Sequence, residues 1–389
     1  MTATRTTTSD VLGAYEYWPE DPFWSFQFIR MVEQACVGAA DFAELHMVAK
    51  DLPVGDGEAW YAGFKALAEK LEAKAATAAD GGHLVSARDT WLRASNYYRS
   101  AGFFLSPADE RHGEAVVARR RSFQAAGRLS PADIEPVEIP YEGTTIPGYR
   151  FGPVAGSPQP GPAAVIFGGT DAVAEEMYFF LGRALSERGF TAVAIDGPGQ
   201  GEALRRGIHS RHDFEVPVGA AVDYLVARDD VDPQQVVLVG QSLGGYYAAR
   251  AAAFETRLRA SVIWGAVYSV HQGIAEHLAA GGPTADHFAE QFQRIVGVGS
   301  LDELMSRLEA YTLDGVAERI RMPTLIVHGE ADLLSPIPAA YRLFEEISSE
   351  TKDLIVYPTG QPGCTHCQVD ALPLVHFDIC NWLERQLRA

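Results

Sequence analysis

The stretch VVLVGQSLGGYYAARAAA, Val236–Ala253, decides the fold of this chain. It begins with apolar residues that favour a buried strand and ends in an alanine-rich run that favours a helix. Between them lies a G-x-S-x-G turn, residues 240–244, which needs small residues beside its serine so that strand and helix can approach each other. The stretch therefore predicts a nucleophile elbow that exposes the hydroxyl of Ser242, with a tight turn without chemistry as the alternative.

Short β-rich runs surround this elbow from about residue 131 onward. They are VEIPYEG, TIPGYRFG, AAVIFGG, TAVAID, VVLVG, SVIWGA, TLIVHG and LIVYPTG. Most are continuous apolar runs and they alternate with helical stretches, so we expect a mainly parallel, eight-stranded sheet covered by helices on both faces. The first two runs, joined by Glu142-Gly143-Thr144, predict an antiparallel hairpin at one edge.

Two helical regions accompany the predicted sheet. Residues 1–130 are expected to form an N-terminal helical domain and residues 131–389 the catalytic α/β domain. Apolar residues at helical spacing support the first region: Trp60, Phe64, Leu67 and Leu71. Ser106-Pro107 predicts the start of a further helix there. A second helical segment, about 267–321, is interrupted at Gly281-Gly282-Pro283 and predicts a lid inserted between the sixth and seventh strands.

Composition excludes several classes of function. The 389 residues carry a formal net charge of −19, whereas nucleic-acid binders present basic surfaces. The polar start MTATRTTTSD lacks the apolar core of a signal peptide, and no apolar run is long enough to span a membrane. The four cysteines do not resemble a secreted disulfide framework. We therefore expect a cytoplasmic protein with a small-molecule substrate and neither a nucleic-acid nor a membrane partner.

A serine nucleophile needs a base, and the base needs a carboxylate to orient it. In sheets with such an elbow the chain order is Ser, then Asp or Glu, then His. TLIVHGEADLLSP places Asp332 after the seventh strand, with Glu330 as the competing carboxylate and His328 expected to pack at the strand end. After the last strand, GCTHCQVD supplies His366. The sequence predicts a Ser242–Asp332–His366 triad.

The turn after the nucleophile and the loop after the third strand predict an oxyanion hole. One backbone N–H should come from Leu243, just after the nucleophile, and the other from Thr170, with Gly169 next in preference, in the loop after the third strand.

Cys364 and Cys367 flank the histidine, but one C-x-x-C pair supplies too few ligands for a structural zinc site. We interpret both cysteines as small packing residues and expect no metal, with metal or redox use as the alternative.

These residues resemble a known family. The motifs FGGTDA, DGPGQGE (196–202), GQSLGG, SVIWGA, HGEAD and THC, with a helical domain ahead of the sheet, resemble the α/β-hydrolase branch that contains 2,6-dihydroxypseudooxynicotine hydrolase, fungal polyketide-shortening hydrolases and FrsA-type proteins. The resemblance implies an α/β-hydrolase fold, the same three catalytic residues, and a homodimer. It also implies cleavage of a carbon–carbon bond beside a ketone without a cofactor.

The resemblance also implies a helical domain that closes over the active site. On that basis Tyr97, Tyr98 and Phe103 are candidate substrate contacts, with core packing as the alternative. A further acidic residue binds substrate in the pyridine-degrading member of the family, and Glu276 is the candidate for that position.

The predicted function is therefore that of a serine hydrolase acting on a bulky aromatic or polyketide-like compound through an acyl-enzyme. The scissile bond would be a carbon–carbon bond beside a ketone or an ester bond. An acyltransferase or cyclase of secondary metabolism, or a plain carboxylesterase, would use the same residues. A non-catalytic regulatory protein of the FrsA type is the alternative from another class.

Overall fold

The computed structural model describes residues 16–281 and 283–388, without the side chains of residue 280 and residues 283–287. The chain forms two compact units. One contains the chain up to Glu135 together with Val369–Pro373, and the other contains Pro136–Gln368 and the chain from Leu374. The boundary predicted at residue 130 lies just before this division, and the role of the first unit as a cap stays a prediction.

The first unit is built from helices. Their bounds are α1 Pro22–Glu33, α2 Phe42–Ala49, α3 Gly57–Asp80, α4 Leu84–Ala101 and α5 Glu110–Gly127, with a short 3₁₀ turn at Gln34–Val37. Helix α3 begins where the Asp56 carboxylate accepts hydrogen bonds from the first backbone N–H groups. Its buried face runs through Trp60, Phe64, Ala68 and Leu71, whereas Leu67 is only half-buried because it lies beside that stripe.

The start of helix α5 differs from the prediction at Ser106-Pro107. The helix begins at Glu110, with Asp109 as its cap, because the Asp109 carboxylate accepts a hydrogen bond from the N–H of Arg111 at 2.9 Å. Instead, the backbone carbonyl of Ser106 accepts a hydrogen bond from the N–H of Asp109 at 2.9 Å, and this bond closes a turn before the helix. A Ser-Pro pair suits both a turn and a helix start, so the acidic cap one turn later decides the boundary.

The second unit contains the predicted eight-stranded sheet. The strands are β1 Ile134–Tyr141, β2 Thr144–Phe151, β3 Gly161–Phe167, β4 Thr191–Ile195, β5 Val231–Gln241, β6 Ala260–Trp264, β7 Thr324–Gly329 and β8 Lys352–Tyr357. Their order is β1-β2-β4-β3-β5-β6-β7-β8. Strand β2 pairs antiparallel with β4, and the pairs from β4 to β8 are parallel. Glu142 and Gly143, both at positive φ, connect β1 to β2 as the predicted hairpin requires.

Parallel pairing brings several strand ends to one edge of this sheet. Phe167 at the end of β3 is in register with Gly240, and Gln241 at the end of β5 is in register with Trp264 at the end of β6. The ends of strands β7 and β8 are likewise in register with each other. The loops after these strands therefore meet at the carboxyl edge, where sheets of this kind bind ligands.

The remaining helices follow the strands of the second unit. They are α6 Ala174–Met177, α7 Arg183–Ser186, α8 Gly201–Arg205, α9 Glu215–Val226, α10 Leu243–Ala252, α11 Val270–Ala280, α12 Pro283–Val296, α13 Leu301–Leu308, α14 Pro338–Glu346 and α15 Leu372–Arg388, with a π-helical turn at Tyr178–Gly182. Helices α11 to α13 form the segment predicted between β6 and β7. Gly282 of the predicted break lies outside the described residues, and α12 begins directly after it. The buried residues Ile274, Phe292 and Leu304 join these helices to the core.

None of the helices described above is long and apolar enough to cross a membrane.

Candidate active site

Ser242 occupies a strained turn between strand β5 and helix α10. Its φ of 62° and ψ of −125° lie in a region that non-glycine residues rarely adopt. The Ser242 N–H donates to the carbonyl of Trp264 at 2.8 Å, and its own carbonyl accepts the N–H of Gly245 at 2.7 Å. A Cβ built on Gly240 would lie 2.0 Å from the Gly244 carbonyl oxygen. The glycines of G-x-S-x-G are therefore needed for strand and helix to approach, as the sequence predicts.

The structure brings the other two predicted residues to this serine. Nε2 of His366 lies 2.8 Å from Ser242 Oγ, and Nδ1 lies 2.7 Å from Asp332 Oδ2. Asp332 follows β7 and His366 follows β8, so their loops reach the site from neighbouring strands. Both side chains are buried. If Nδ1 carries the proton, Nε2 is free to accept the hydroxyl proton of the serine.

The Asp332 carboxylate is fixed by its own loop. Its Oδ1 accepts the backbone N–H groups of Leu334 and Ser335 at 2.9 Å and 2.8 Å. His328, fully buried, accepts the N–H of Ala266 at Nδ1 at 3.0 Å, so its Nε2–H donates to the Ser335 carbonyl at 2.7 Å. Burial lowers the pKa of His328, so this imidazole is neutral. The predicted packing residue therefore connects the loop that carries Asp332 to the segment that follows β6.

The competing carboxylate points elsewhere. Glu330 is exposed and accepts the backbone N–H of Thr359 at 2.7 Å. Its position leaves Asp332 as the carboxylate that faces His366.

The buried pair influences the titration of both partners. Burial alone would raise the pKa of Asp332, but the charge and hydrogen bond of His366 bring that pKa below its ordinary value. Burial would likewise lower the pKa of His366, but the charge of Asp332 and the neighbouring Cys367 raise it well above its ordinary value. An ionised Asp332 therefore stabilises the imidazolium form of His366.

The loop after β3 lies directly against the serine. A Cβ built on Gly169 would be 2.7 Å from Ser242 Oγ and 3.2 Å from the backbone nitrogen of Leu243. Leu243 is the first residue of α10, where backbone N–H groups have no partner within the helix. The structure thus brings Gly169 and Leu243 to the nucleophile. Thr170 is next in the chain, and its preference over Gly169 as an N–H donor stays a prediction.

Gln200 is a buried residue of the site that the sequence analysis did not single out. Its Nε2 donates to the Gly169 carbonyl at 3.1 Å and to the Gly168 carbonyl, and its Oε1 accepts the N–H of Gly197 at 3.1 Å. The motif DGPGQGE thereby holds the loop that carries the predicted oxyanion donors. In the sequence, Gln200 is a single amide side chain within a loop rich in Gly and Pro. Its hydrogen-bond partners cannot be identified until the fold is known.

The predicted aromatic substrate contacts lie within the helical unit. Tyr97 is buried, and its hydroxyl accepts the N–H of Asp41 at 2.8 Å and donates to Glu44 at 3.0 Å. The Tyr98 hydroxyl donates to Glu72 at 2.7 Å. These bonds stabilise the packing of that unit, and contact with a substrate stays a prediction for both tyrosines.

The two remaining candidates are more open. Phe103 is partly buried, with its ring 5.0 Å from that of Phe104, centroid to centroid. Glu276 is exposed on α11 and accepts a hydrogen bond from Gln272 at 2.7 Å. No described contact joins either residue to the triad of Ser242, Asp332 and His366, so the roles of Phe103 and Glu276 also stay predictions.

The described residues include no group of three or more His, Cys, Asp or Glu side chains that could hold a metal ion. Cys364 and Cys367 are free and buried, and the Cys367 sulfur lies 3.4 Å from Nε2 of His366.

A mainly parallel eight-stranded sheet with its elbow after the fifth strand defines this protein as an α/β-hydrolase. This is the predicted fold class. Within that class, the chain belongs to the FrsA-like esterase family, because the family model matches residues 57–387.

Individual relatives agree with this family. The hydrolase acrC of Aspergillus aculeatus is 29% identical over an alignment of 422 residues that covers 96% of this chain and 98% of that protein. The hydrolyase poxO of Penicillium oxalicum is 27% identical over 411 residues, covering 94% of this chain and 97% of that protein. The crystal structure of 2,6-dihydroxy-pseudo-oxynicotine hydrolase matches with a TM-score of 0.78 and 25% identity, over 90% of this chain and 94% of that one. These matches confirm the resemblance predicted from the motifs.

Proposed function

We propose that this protein is a cofactor-independent serine hydrolase that cleaves a carbon–carbon bond beside a ketone in a bulky aromatic or polyketide-like compound. The observation that carries the proposal is the hydrogen-bonded triad, in which His366 lies 2.8 Å from the Ser242 hydroxyl and 2.7 Å from the Asp332 carboxylate. The likeness to 2,6-dihydroxy-pseudo-oxynicotine hydrolase and to fungal hydrolases supports the choice of substrate class.

In the proposed reaction Ser242 Oγ attacks a ketone carbonyl while its proton moves to Nε2 of His366. The negative charge that develops on the carbonyl oxygen is stabilised by the backbone N–H groups of Leu243 and of Thr170 or Gly169. Collapse of the tetrahedral intermediate breaks the carbon–carbon bond and expels an enolate, which takes the proton from His366. Water, deprotonated by the same imidazole, then hydrolyses the acyl-enzyme.

Ester hydrolysis is the second candidate, and the family description as FrsA-like esterases favours it. An alkoxide would then replace the enolate as the leaving group. Transfer of the acyl group to a substrate hydroxyl, as in an acyltransferase or cyclase, would differ only in the final acceptor.

The substrate class is tested with two synthetic compounds that share one aromatic acyl group. In one, a β-diketone, the acyl group is bonded to carbon, and in the other, an ester, to an alkoxy oxygen. We expect the β-diketone to yield the aromatic acid and a methyl ketone with the higher kcat/KM, measured by mass spectrometry of the products. Cleavage of the ester alone would support the esterase reading.

A fluorophosphonate probe separates enzyme from binding protein. We expect one probe molecule per chain, attached to Ser242, as seen by the mass of the intact protein and of its peptides. A folded protein that stays unlabelled would favour a regulatory role of the FrsA type.

The clamp on the oxyanion loop gives a further prediction. Gln200→Ala removes the donor to the carbonyls of Gly168 and Gly169. The N–H groups of Gly169 and Thr170 belong to the same two peptide units, so their orientation toward the oxyanion is no longer fixed. We expect kcat to fall by about 10- to 100-fold with KM changed little, less than for loss of a donor itself. Gln234→Ala, at an exposed position, is the control and should retain full activity. Equal rates in the two variants would contradict a role for Gln200.

A further inference from the structure

The sulfur of Cys367 lies beside the nitrogen that handles the proton. Nε2 of His366 is 2.8 Å from Ser242 Oγ and 3.4 Å from Cys367 Sγ. The same sulfur is 3.8 Å from the carbonyl oxygen of Trp264, to which the thiol can donate its own hydrogen. With that hydrogen directed at the carbonyl, the sulfur is available as an acceptor for an N–H on Nε2.

The backbone holds this sulfur in place at a conformational cost. Cys367 has a φ of 53° and Gln368 a φ of 49°, two successive non-glycine residues in the left-handed region. The side chain of Gln368 fixes the segment, since its Oε1 accepts the indole N–H of Trp264 at 2.7 Å and its Nε2 donates to the Gly363 carbonyl at 3.1 Å. The segment is therefore tied to the end of β6, next to the turn that carries the serine.

The residue directly after strand β6 also leaves room for the sulfur. A Cβ built on Gly265 would lie 2.9 Å from Cys367 Sγ, so a larger residue there would displace the thiol. Cys367 is buried, as is Cys364, but for Cys364 the described contacts are made by the backbone: its carbonyl accepts the N–H of Ala331 at 2.9 Å. The two cysteines of the motif thus differ, and the interpretation as packing residues fits Cys364 alone.

We propose that Cys367 is a positioning residue that accepts a hydrogen bond from the protonated Nε2 of His366 while the imidazole holds the proton taken from Ser242. The inference rests on the proposed function. The hydroxyl proton of Ser242 moves to Nε2, the thiol keeps its own hydrogen, and the proton stays on nitrogen until the leaving group takes it. The neutral imidazole is then restored.

Such an acceptor matters most when the leaving group is carbon. An alkoxide is a strong hydrogen-bond acceptor and takes the imidazolium proton at once, whereas an enolate carbon is a weak one. During that interval the sulfur gives the N–H a partner and keeps the ring aligned, with Asp332 holding Nδ1 from the other side. His328, 3.8 Å from Asp332, is neutral and adds no charge.

The test replaces the sulfur without disturbing the backbone. Cys367→Gly suits a left-handed φ, so the variant is expected to fold with an unchanged unfolding temperature. We expect kcat for the β-diketone to fall about tenfold, the low end for a hydrogen bond to a charged group because sulfur is a weak acceptor, with a smaller loss for the matched ester. Removing an acceptor destabilises the imidazolium, so the acid limb of the pH–rate profile should move to lower pH.

Two further variants separate positioning from packing. Cys367→Ser keeps an acceptor atom and should recover part of the loss, and Cys364→Ala, the buried control, should match the unaltered protein. An unchanged kcat and pH profile in Cys367→Gly would overturn the proposal. So would a loss of kcat with no shift of the profile, or a serine variant no better than the glycine one, because each indicates packing alone.

Labelling of Ser242 by the fluorophosphonate probe distinguishes this failure from failure of the proposed function. Its rate against pH reports the Ser242–His366 pair without any substrate. Absence of labelling in the unaltered protein would remove the serine-hydrolase proposal itself. Labelling with identical pH profiles in the unaltered protein and in Cys367→Gly would remove only the role of Cys367.

Discussion

Replacing Ser242 with alanine is expected to lower kcat by about 10³-fold or more while the fold is retained. The hydroxyl is the group that Nε2 of His366 contacts at 2.8 Å, and alanine leaves the base without a nucleophile to activate. The residue lies on a turn, and alanine carries the same Cβ, so the backbone strain at this position does not change. The measurement is kcat on the β-diketone together with the loss of fluorophosphonate labelling.

A second buried serine supplies the control for this variant. Ser261 on β6 lies 3.2 Å from Thr324, hydroxyl to hydroxyl, within the sheet. Ser261→Ala should retain turnover and lose about 1 kcal/mol of stability, as for one hydrogen bond. Near-normal turnover in purified Ser242→Ala protein would remove the serine from the mechanism.

Asp332→Asn is expected to lower kcat by about 10⁴-fold. Oδ1 of the aspartate accepts two backbone N–H groups, so the oxygen of an asparagine would take that position and its NH₂ group would face His366. Nδ1 would then have to accept rather than donate, which puts the imidazole proton on Nε2. In that tautomer the base cannot accept the serine proton.

The pH profile provides an independent readout of the same pair. Activity requires neutral His366, so it is present above the pKa of this residue and is lost as the pH falls through it. Because Asp332 raises this pKa above its ordinary value of 6.5, the acid limb should lie above pH 6.5 and move to lower pH in Asp332→Asn. Glu330→Gln, at the exposed competing carboxylate, is the control, and an equal loss there would contradict the assignment of Asp332.

Much of this arrangement could be predicted because its signals are local. The elbow at residues 240–244 is a strand, a small-residue turn and a helix in one stretch of chain, and the strand runs after it are continuously apolar. Once the strands are ordered, the loops that carry Asp332 and His366 follow from chain order alone. The fold and the family are confirmed by the sheet order and the family match.

What could not be predicted depends on contacts between distant segments. Gln200 reaches the carbonyl of Gly169, and Gln368 reaches the indole of Trp264, at separations along the chain that no periodicity encodes. The difference between Cys364 and Cys367 depends on the left-handed backbone at Cys367. This conformation cannot be predicted from the sequence, because the residue is not a glycine. Asp109 displaced Ser106-Pro107 as a helix start because two local signals competed within four residues.

The register of β6 and β7 has a consequence for how new specificities can arise on this scaffold. These strands pair in parallel from Ser261 with Thr324 to Trp264 with Val327, although the chain leaves the sheet between them to build helices α11 to α13. The sheet fixes both ends of that excursion but not its length, and lengthening a connection whose ends are fixed costs little free energy. We expect an exchange of this segment, the predicted lid, to alter which substrates reach Ser242 and to leave the geometry of proton transfer unchanged. On that expectation, selectivity changes on this scaffold without a change in reactivity.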